Sequence, residues 1–118
     1  LVVKPARVGG PVAAAEIAAL AAARDVPVVV STLFETGVGI AAALAVAAAL
    51  PARHGAGLER PPDHGLATAG ILEHDLLAEA LPVDEGRMRV PGGSGGALGI
   101  TIDERALARF LVESAGGG

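Results

Sequence analysis

The sequence has no cysteine, no tryptophan and no tyrosine, and its only phenylalanines are Phe34 and Phe110. Without cysteine it forms no disulfide and no thiolate metal site. With so few aromatic residues it builds no platform for stacking nucleic-acid bases. Positive charge is also scarce. The 9 Lys+Arg stand against 13 Asp+Glu, a formal net charge of -4, which argues against a basic groove for nucleic acid. The Pro-free apolar stretch from Val38 to Leu50 is too short to span a membrane. No charged n-region, apolar h-region and cleavage site open the chain. With 118 residues against about 150 per domain, the length gives less than one full domain as a prior. We therefore expect a cytoplasmic α/β protein with no nucleic-acid or membrane partner, and a piece of a larger one.

Hydrophobic residues make up 52% of the sequence, and their arrangement is informative. Leu1-Val2-Val3-Lys4 is a β-branched apolar run closed by Pro5, which reads as a short buried strand. After the Gly9-Gly10 loop, Pro11 suits a first helical position. Val12 to Arg24 reads as a helix with Ile17 and Leu20 on one face. Val26 to Ser31 is too apolar for a half-exposed strand and suits a parallel sheet covered on both sides. Thr36 is placed to cap a helix from Val38 to Leu50, which Pro51 would stop. That helix has almost no polar face, so it must be buried, and by cover that the rest of the chain does not supply.

Arg53 to Asp63 reads as a loop, Gly65 to Thr68 as a third short strand and Gly70 to Leu81 as a third helix. The alternation predicts a parallel sheet with crossover helices. About 27 residues separate Lys4 from Ser31, a natural length for one βα unit. An open three-stranded sheet would leave both edges bare. Further on, Val83 to Val90 reads as strands around an Asp84-Glu85-Gly86 turn. Pro91 to Gly96 reads as a flexible connector, since it lacks the Lys-Ser/Thr ending of a phosphate-binding loop. Gly99 to Ile102 reads as a strand, Asp103 as the cap of a helix from Glu104 to Val112, and Ser114 to Gly118 as a fraying end.

Lys4 is the sole lysine; every other basic residue is arginine. An ammonium at the end of a buried strand is costly unless paired, and strand C-termini carry the active site in parallel α/β folds. Pro5 confines Lys4 to extended backbone. A lysine there can stabilise an oxyanion or serve acid-base chemistry; it can also be a snorkelling side chain at a strand end. Ser31, Thr32 and Glu35 end the second strand at the same rim, where hydroxyls and loop amides can bind a carboxylate and Glu35 can pair with Lys4. Turn chemistry and capping explain them equally well. Thr68 ends the third strand. His64, before it, belongs to the opposite end of the sheet or its preceding loop. His74, between Glu73 and Asp75, reads as part of a solvated helix face, without metal-ligand spacing to the other histidines.

Four segments in this order resemble one family. They are Val3-Lys4-Pro5-Ala6-Arg7-Val8-Gly9-Gly10, Ser31-Thr32-Leu33-Phe34-Glu35-Thr36-Gly37-Val38-Gly39, His64-Gly65-Leu66-Ala67-Thr68 and Gly96-Ala97-Leu98-Gly99. The family is the enolase superfamily, in its muconate-lactonizing subgroup, and within that the o-succinylbenzoate synthases. The resemblance implies the C-terminal part of a (β/α)7β barrel. Leu1–Lys4, Val26–Ser31 and Gly65–Thr68 would be its sixth, seventh and eighth strands, making residues 1–81 a partial barrel. Residues 82–118 would run toward a capping domain that this chain lacks.

The resemblance makes Lys4 the lysine that helps stabilise an enediolate formed beside a carboxylate. It makes Ser31, Thr32, Glu35, Gly65 and Thr68 part of the substrate pocket. It implies a carbon-oxygen lyase, a dehydratase converting a cyclohexadiene hydroxy-acid to 2-succinylbenzoate in menaquinone synthesis, with Mg²⁺ or Mn²⁺ as cofactor. The superfamily's pairing of lysine with Mg²⁺ is a known pattern of acid-base tuning. The family's metal ligands and second lysine lie on strands outside this chain, so no residue here is a metal ligand. We therefore expect the isolated chain to be inactive and to need the missing N-terminal barrel half and capping domain. The alternatives are an N-acylamino acid racemase or muconate cycloisomerase of the same superfamily, or a non-catalytic half-barrel that self-associates as a homo-oligomer.

Overall fold

The computed structural model describes residues 1–50, 57–92 and 98–112. Nine short elements follow one another: β1 (Val2–Val3), α1 (Pro5–Val8), α2 (Pro11–Ala22), β2 (Val29–Val30), α3 (Gly37–Ala49), a 3-10 turn (Ala69–Ile71), β3 (Val83–Asp84), β4 (Arg87–Met88) and α4 (Glu104–Arg109). β1 and β2 pair in parallel, Val2 opposite Val29 and Val3 opposite Val30. Gly65 extends the ribbon by a parallel bridge to Ser31. The expected strand over Gly65–Thr68 is thus a single bridging residue, because Thr68 N–H turns back to the Leu66 carbonyl at 2.8 Å.

Val3 and Val30 are buried at the centre of the ribbon. Ala14 of α2, Ala43, Leu44, Val46 and Ala47 of α3, and Leu66 complete this core, with Met88 of β4 packed against it. Pro11 opens α2 as expected. The buried face of that helix is nevertheless Ala14, Ala18 and Ala21, while Leu20 is 61% exposed. Small alanines let α2 and α3 approach closely, and the larger Leu20 is left on the outside.

No residue from Gly37 to Ala47 is exposed. The apolar helix expected to lack cover is therefore covered by its own chain, between α2 and β2. Apolar side chains left uncovered lie elsewhere, among them Leu1, Val2 on β1, and Val12 and Leu20 on α2. Pro51, the expected helix stop, the first part of the Arg53–Asp63 loop, most of the glycine-rich connector and the Ser114–Gly118 end lie outside the described residues.

Two further differences matter for the site. A one-turn helix, α1, follows Lys4 directly, with Pro5 in its first turn and Gly9 closing it at φ 100°, where a side chain would be strained. The expected helix over Gly70–Leu81 is absent beyond the 3-10 turn. Leu77 instead bridges Ile102 in antiparallel fashion, with Ala78 N–H on the Thr101 carbonyl at 2.9 Å and Asp103 N–H on the Leu76 carbonyl at 2.8 Å. That bridge is also all that forms of the expected Gly99–Ile102 strand. The β3–β4 hairpin turns through Glu85 and Gly86, both at positive φ. Their conformation matches the twist of the flanking strands. Asp103 caps α4 through Arg105 N–H at 2.9 Å and Ala106 N–H at 3.1 Å, and the helix ends at Arg109, short of the expected Val112.

Candidate functional site

Lys4 stands where β1 stops and α1 begins, with extended backbone (φ -115°, ψ 107°) as the following proline demands. It is half-buried. Its Nζ donates to the Thr32 carbonyl oxygen at 2.7 Å and to Ser31 Oγ at 3.3 Å. Two neutral oxygens from the end of β2 therefore hold the ammonium. The expected Lys4–Glu35 pair does not form. Glu35 Oε1 instead accepts the Leu33 N–H at 2.9 Å. Among the described residues the cationic side chain paired with a carboxylate is Arg60, with Asp63, so no carboxylate pairs with Lys4. The positive charge of Lys4 is oriented without being neutralised.

The second half of the rim is a chain of hydroxyls. Thr32 is 3% exposed, and its Oγ1 lies 3.2 Å from the Gly65 carbonyl oxygen and 2.8 Å from Thr68 Oγ1. A hydroxyl has one proton to give. When Thr32 donates to Gly65, Thr68 donates to Thr32. Main-chain bonds run beside this link: Gly65 N–H to the Val30 carbonyl at 2.9 Å and Thr32 N–H to the Gly65 carbonyl at 3.1 Å. Gly65 allows a close approach, since a Cβ there would lie 2.9 Å from Ser31 Oγ. Lys4, Ser31, Thr32, Gly65 and Thr68 thus come together at one rim. The Thr32 side chain sits in the seam between β2 and the 65–68 segment, whereas Ser31 Oγ faces Lys4.

His64 is placed in the loop before Gly65, and its Nδ1 accepts the Val30 N–H at 3.1 Å. Only the unprotonated ring nitrogen can do this. Burial holds its pKa below the ordinary histidine value, against the opposing pull of Asp63. A groove of about 450 Å³ lies beside His64 between the Arg60–Ala67 segment and the β3–β4 hairpin, and no residue of the Lys4 rim lines it. His74 is on no helix; its ring lies 5.6 Å from that of Phe110, over which Arg109 also sits.

Two residues of consequence are illegible in local sequence. Asp75 and Gly37, far apart in the chain, meet at the start of α3, where Asp75 Oδ1 accepts the Gly37 N–H at 2.7 Å. The Thr36 side chain, the expected cap, makes no capping bond. Among the described residues no three acidic or histidine side chains group to hold a metal ion. A divalent ion of the kind used by the resembling family therefore finds no site built by these residues alone. Among the described residues no helix is long and apolar enough to cross a membrane.

Residues 1–106 match the model of a family described as enolase C-terminal domain-like. The o-succinylbenzoate synthase of Mycobacterium tuberculosis is 46% identical over 85 residues, which are 70% of this chain and 22% of that enzyme. The enzyme of the same name from Mycobacterium ulcerans is 42% identical over 83 residues. A crystal structure of an enolase-superfamily member from Listeria innocua superposes with a TM-score of 0.70 at 28% identity, covering 91% of this chain and 26% of that one. The chain thus spans about a quarter or less of the relatives it matches.

Proposed function

Since the chain belongs to the enolase C-terminal domain-like family of the enolase superfamily, we propose that it forms the Lys4-bearing part of a lyase of the o-succinylbenzoate synthase type. In this reading β1, β2 and the Gly65 segment are the sixth to eighth strands of a barrel completed by polypeptide outside this chain. The substrate is a cyclohexadiene hydroxy-acid, and the product 2-succinylbenzoate feeds menaquinone synthesis.

The chemistry asks for a fixed positive charge beside a carboxylate that becomes an enediolate. When a proton leaves the carbon next to the carboxylate, negative charge moves onto the carboxylate oxygens. A preorganised ammonium stabilises that charge without reorganising at the moment of reaction. The abstracted proton passes to a base on polypeptide outside this chain, where the family's second lysine lies. As the enediolate collapses, that base returns the proton to the departing hydroxyl, which leaves as water, and the ring becomes aromatic. Lys4 is the group that meets the developing charge. Ser31 Oγ and the Thr32 carbonyl fix where its ammonium points. Ser31 and the loop to Glu35 border the substrate, and the Thr32–Thr68 link keeps the two strand ends in register.

One observation carries the reading: Lys4 is aimed across the ends of β1 and β2 by two neutral oxygens and forms no ion pair among the described residues. A lysine serving only structure would be expected to meet a carboxylate or solvent. The test is a steady-state assay of the full-length protein with the cyclohexadiene hydroxy-acid and, in parallel, an N-acylamino acid. Dehydration of the first, lost on Lys4→Ala, supports the reading. Racemisation of the second alone overturns it.

A further inference from the structure

The N-terminus of α3 is capped from outside its own loop. Thr36 holds the N-cap position, but its side chain bonds no helix amide. Asp75 Oδ1 takes the Gly37 N–H at 2.7 Å from 38 residues away, and the same oxygen takes the Leu76 N–H at 2.7 Å. The fit is close. A Cβ on Gly37 would lie 2.5 Å from Asp75 Oδ2 and 2.4 Å from Leu77 Cδ1. Leu77 is buried, and the main chain on either side of it is tied to Thr101 and Asp103. The carboxylate therefore reaches α3 from a paired backbone rather than from a free loop.

The segment between Ser31 and Gly37 borders Lys4. Its first end is held by Gly65 and Thr68. Inside it, Glu35 bonds Leu33 N–H, and its carboxylate lies over Gly39, where a Cβ would meet Oε2 at 2.6 Å. Its far end is held by Asp75. An uncapped first turn leaves amides unsatisfied and frays. Fraying at Gly37 would release Thr36 and Glu35, and with them the wall of the rim.

We propose that Asp75 is a positioning residue of the substrate pocket: by capping α3 it sets where the 31–36 loop stands relative to Lys4, and so how tightly a substrate carboxylate is held, without touching the substrate. This rests on the proposed reading of the rim as a carboxylate pocket. If the loop holds the substrate carboxylate equally in ground and transition states, loosening it raises KM with kcat unchanged.

The test uses Asp75→Ala and Asp75→Asn in the full-length protein, read by amide hydrogen exchange and by steady-state kinetics with the cyclohexadiene hydroxy-acid. Asparagine keeps an acceptor at the cap and alanine does not. In Asp75→Ala the Gly37 amide is expected to exchange about tenfold faster, while Val29 and Val30 keep their rates. KM is expected to rise about tenfold with kcat nearly unchanged, and Asp75→Asn to restore both. Unchanged exchange at Gly37, exchange that rises equally through β1, β2 and α2, or a fall in kcat at constant KM overturns the proposal. If the wild type turns over no such substrate, the pocket reading fails, and the proposal for the substrate pocket falls with it. The Gly37 contrast between alanine and asparagine still reports separately whether Asp75 caps α3. Should Asp75→Ala not fold, Asp75→Glu, whose extra methylene misplaces the oxygen, serves in its place with the same expected shifts.

Discussion

Lys4 donates to the main-chain carbonyl of Thr32 at 2.7 Å, so its ammonium is anchored by a group that no side-chain replacement at position 32 removes. The Thr32 side chain works in a different direction, toward Gly65 and Thr68. Orientation of the charge and cohesion of the strand ends are therefore separable by mutation.

Replacement of Lys4 tests the charge. In the full-length protein Lys4→Ala is expected to lower kcat by about 10²–10³-fold, the usual worth of one preorganised donor at a developing oxyanion. Lys4→Arg is expected to be nearly as damaging, since its planar guanidinium is bulkier than the ammonium held by Ser31 Oγ and the Thr32 carbonyl and places its charge elsewhere. Steady-state assays of both variants check this. An arginine variant with most of the wild-type kcat would reduce Lys4 to a structural charge.

Thr32→Val tests cohesion. The substitution leaves Gly65 and Thr68 without their hydroxyl partner in a buried seam, which is expected to cost about 1–3 kcal/mol of stability. Urea denaturation measures that loss. Because the Lys4 anchor is main-chain, kcat is expected to keep its order of magnitude.

Gly65→Ala tests the space around Ser31. The new Cβ would crowd Ser31 Oγ at 2.9 Å, and the hydroxyl can rotate away. Rotation costs little stability, under about 1 kcal/mol, but it breaks the Ser31 bond to Lys4. KM for the substrate is expected to rise by up to about tenfold, the worth of one hydrogen bond, with an unfolding midpoint close to wild type.

His64 gives the fold a pH dependence. Its folded pKa lies below the ordinary value, so the unfolded chain binds the proton more readily. The contribution of His64 is complete above the unfolded pKa of about 6.5 and is lost as pH falls from there through the lower, folded pKa. Denaturation midpoints taken at falling pH below neutrality are expected to drop in the wild type. The slope is expected to shrink in His64→Gln, which has no titrating ring.

The 118-residue chain by itself is expected to show no dehydratase turnover and only weak Mg²⁺ binding, since its described residues group no metal ligands. Loss of a metal forfeits several kcal/mol of transition-state stabilisation. Turnover by the purified chain that disappears on addition of EDTA would contradict this.

β1, β2 and the two long helices are legible because their signals are local, whereas the expected strands over Gly65–Thr68 and Gly99–Ile102 form only single bridges. β-branched runs mark β1 and β2, Pro11 opens α2, and Asp103 caps α4 where its side chain meets its own next turn. Lys4 was legible as a lone cation at a strand end. The segment after Gly70 was not. Its helix-forming residues are drawn into an extended pairing by Leu77–Ile102, and its Asp75 is engaged by Gly37. Tertiary bonds override propensity there. The burial of α3 is legible but its cover is not: alanine spacing on α2 lets two helices close on each other, and helical periodicity within a single segment does not reveal which neighbour covers it. Of the two readings open for Glu35, turn chemistry prevails, because a loop amide two residues away takes its carboxylate in place of Lys4.

The bonds that build the rim join residues 27, 33 and 38 positions apart, from Lys4–Ser31 through Thr32–Gly65 to Gly37–Asp75. None of them can form between neighbours. Each needs a long loop to close first, which slows folding relative to structures made of local contacts. During synthesis the order is imposed by the ribosome. A nascent chain that has released α3 but not yet Asp75 can pair β1 with β2 and pack α2 against α3, while the start of α3 remains without its cap. The cap at the start of α3 is therefore added after β1, β2, α2 and α3 have all been released.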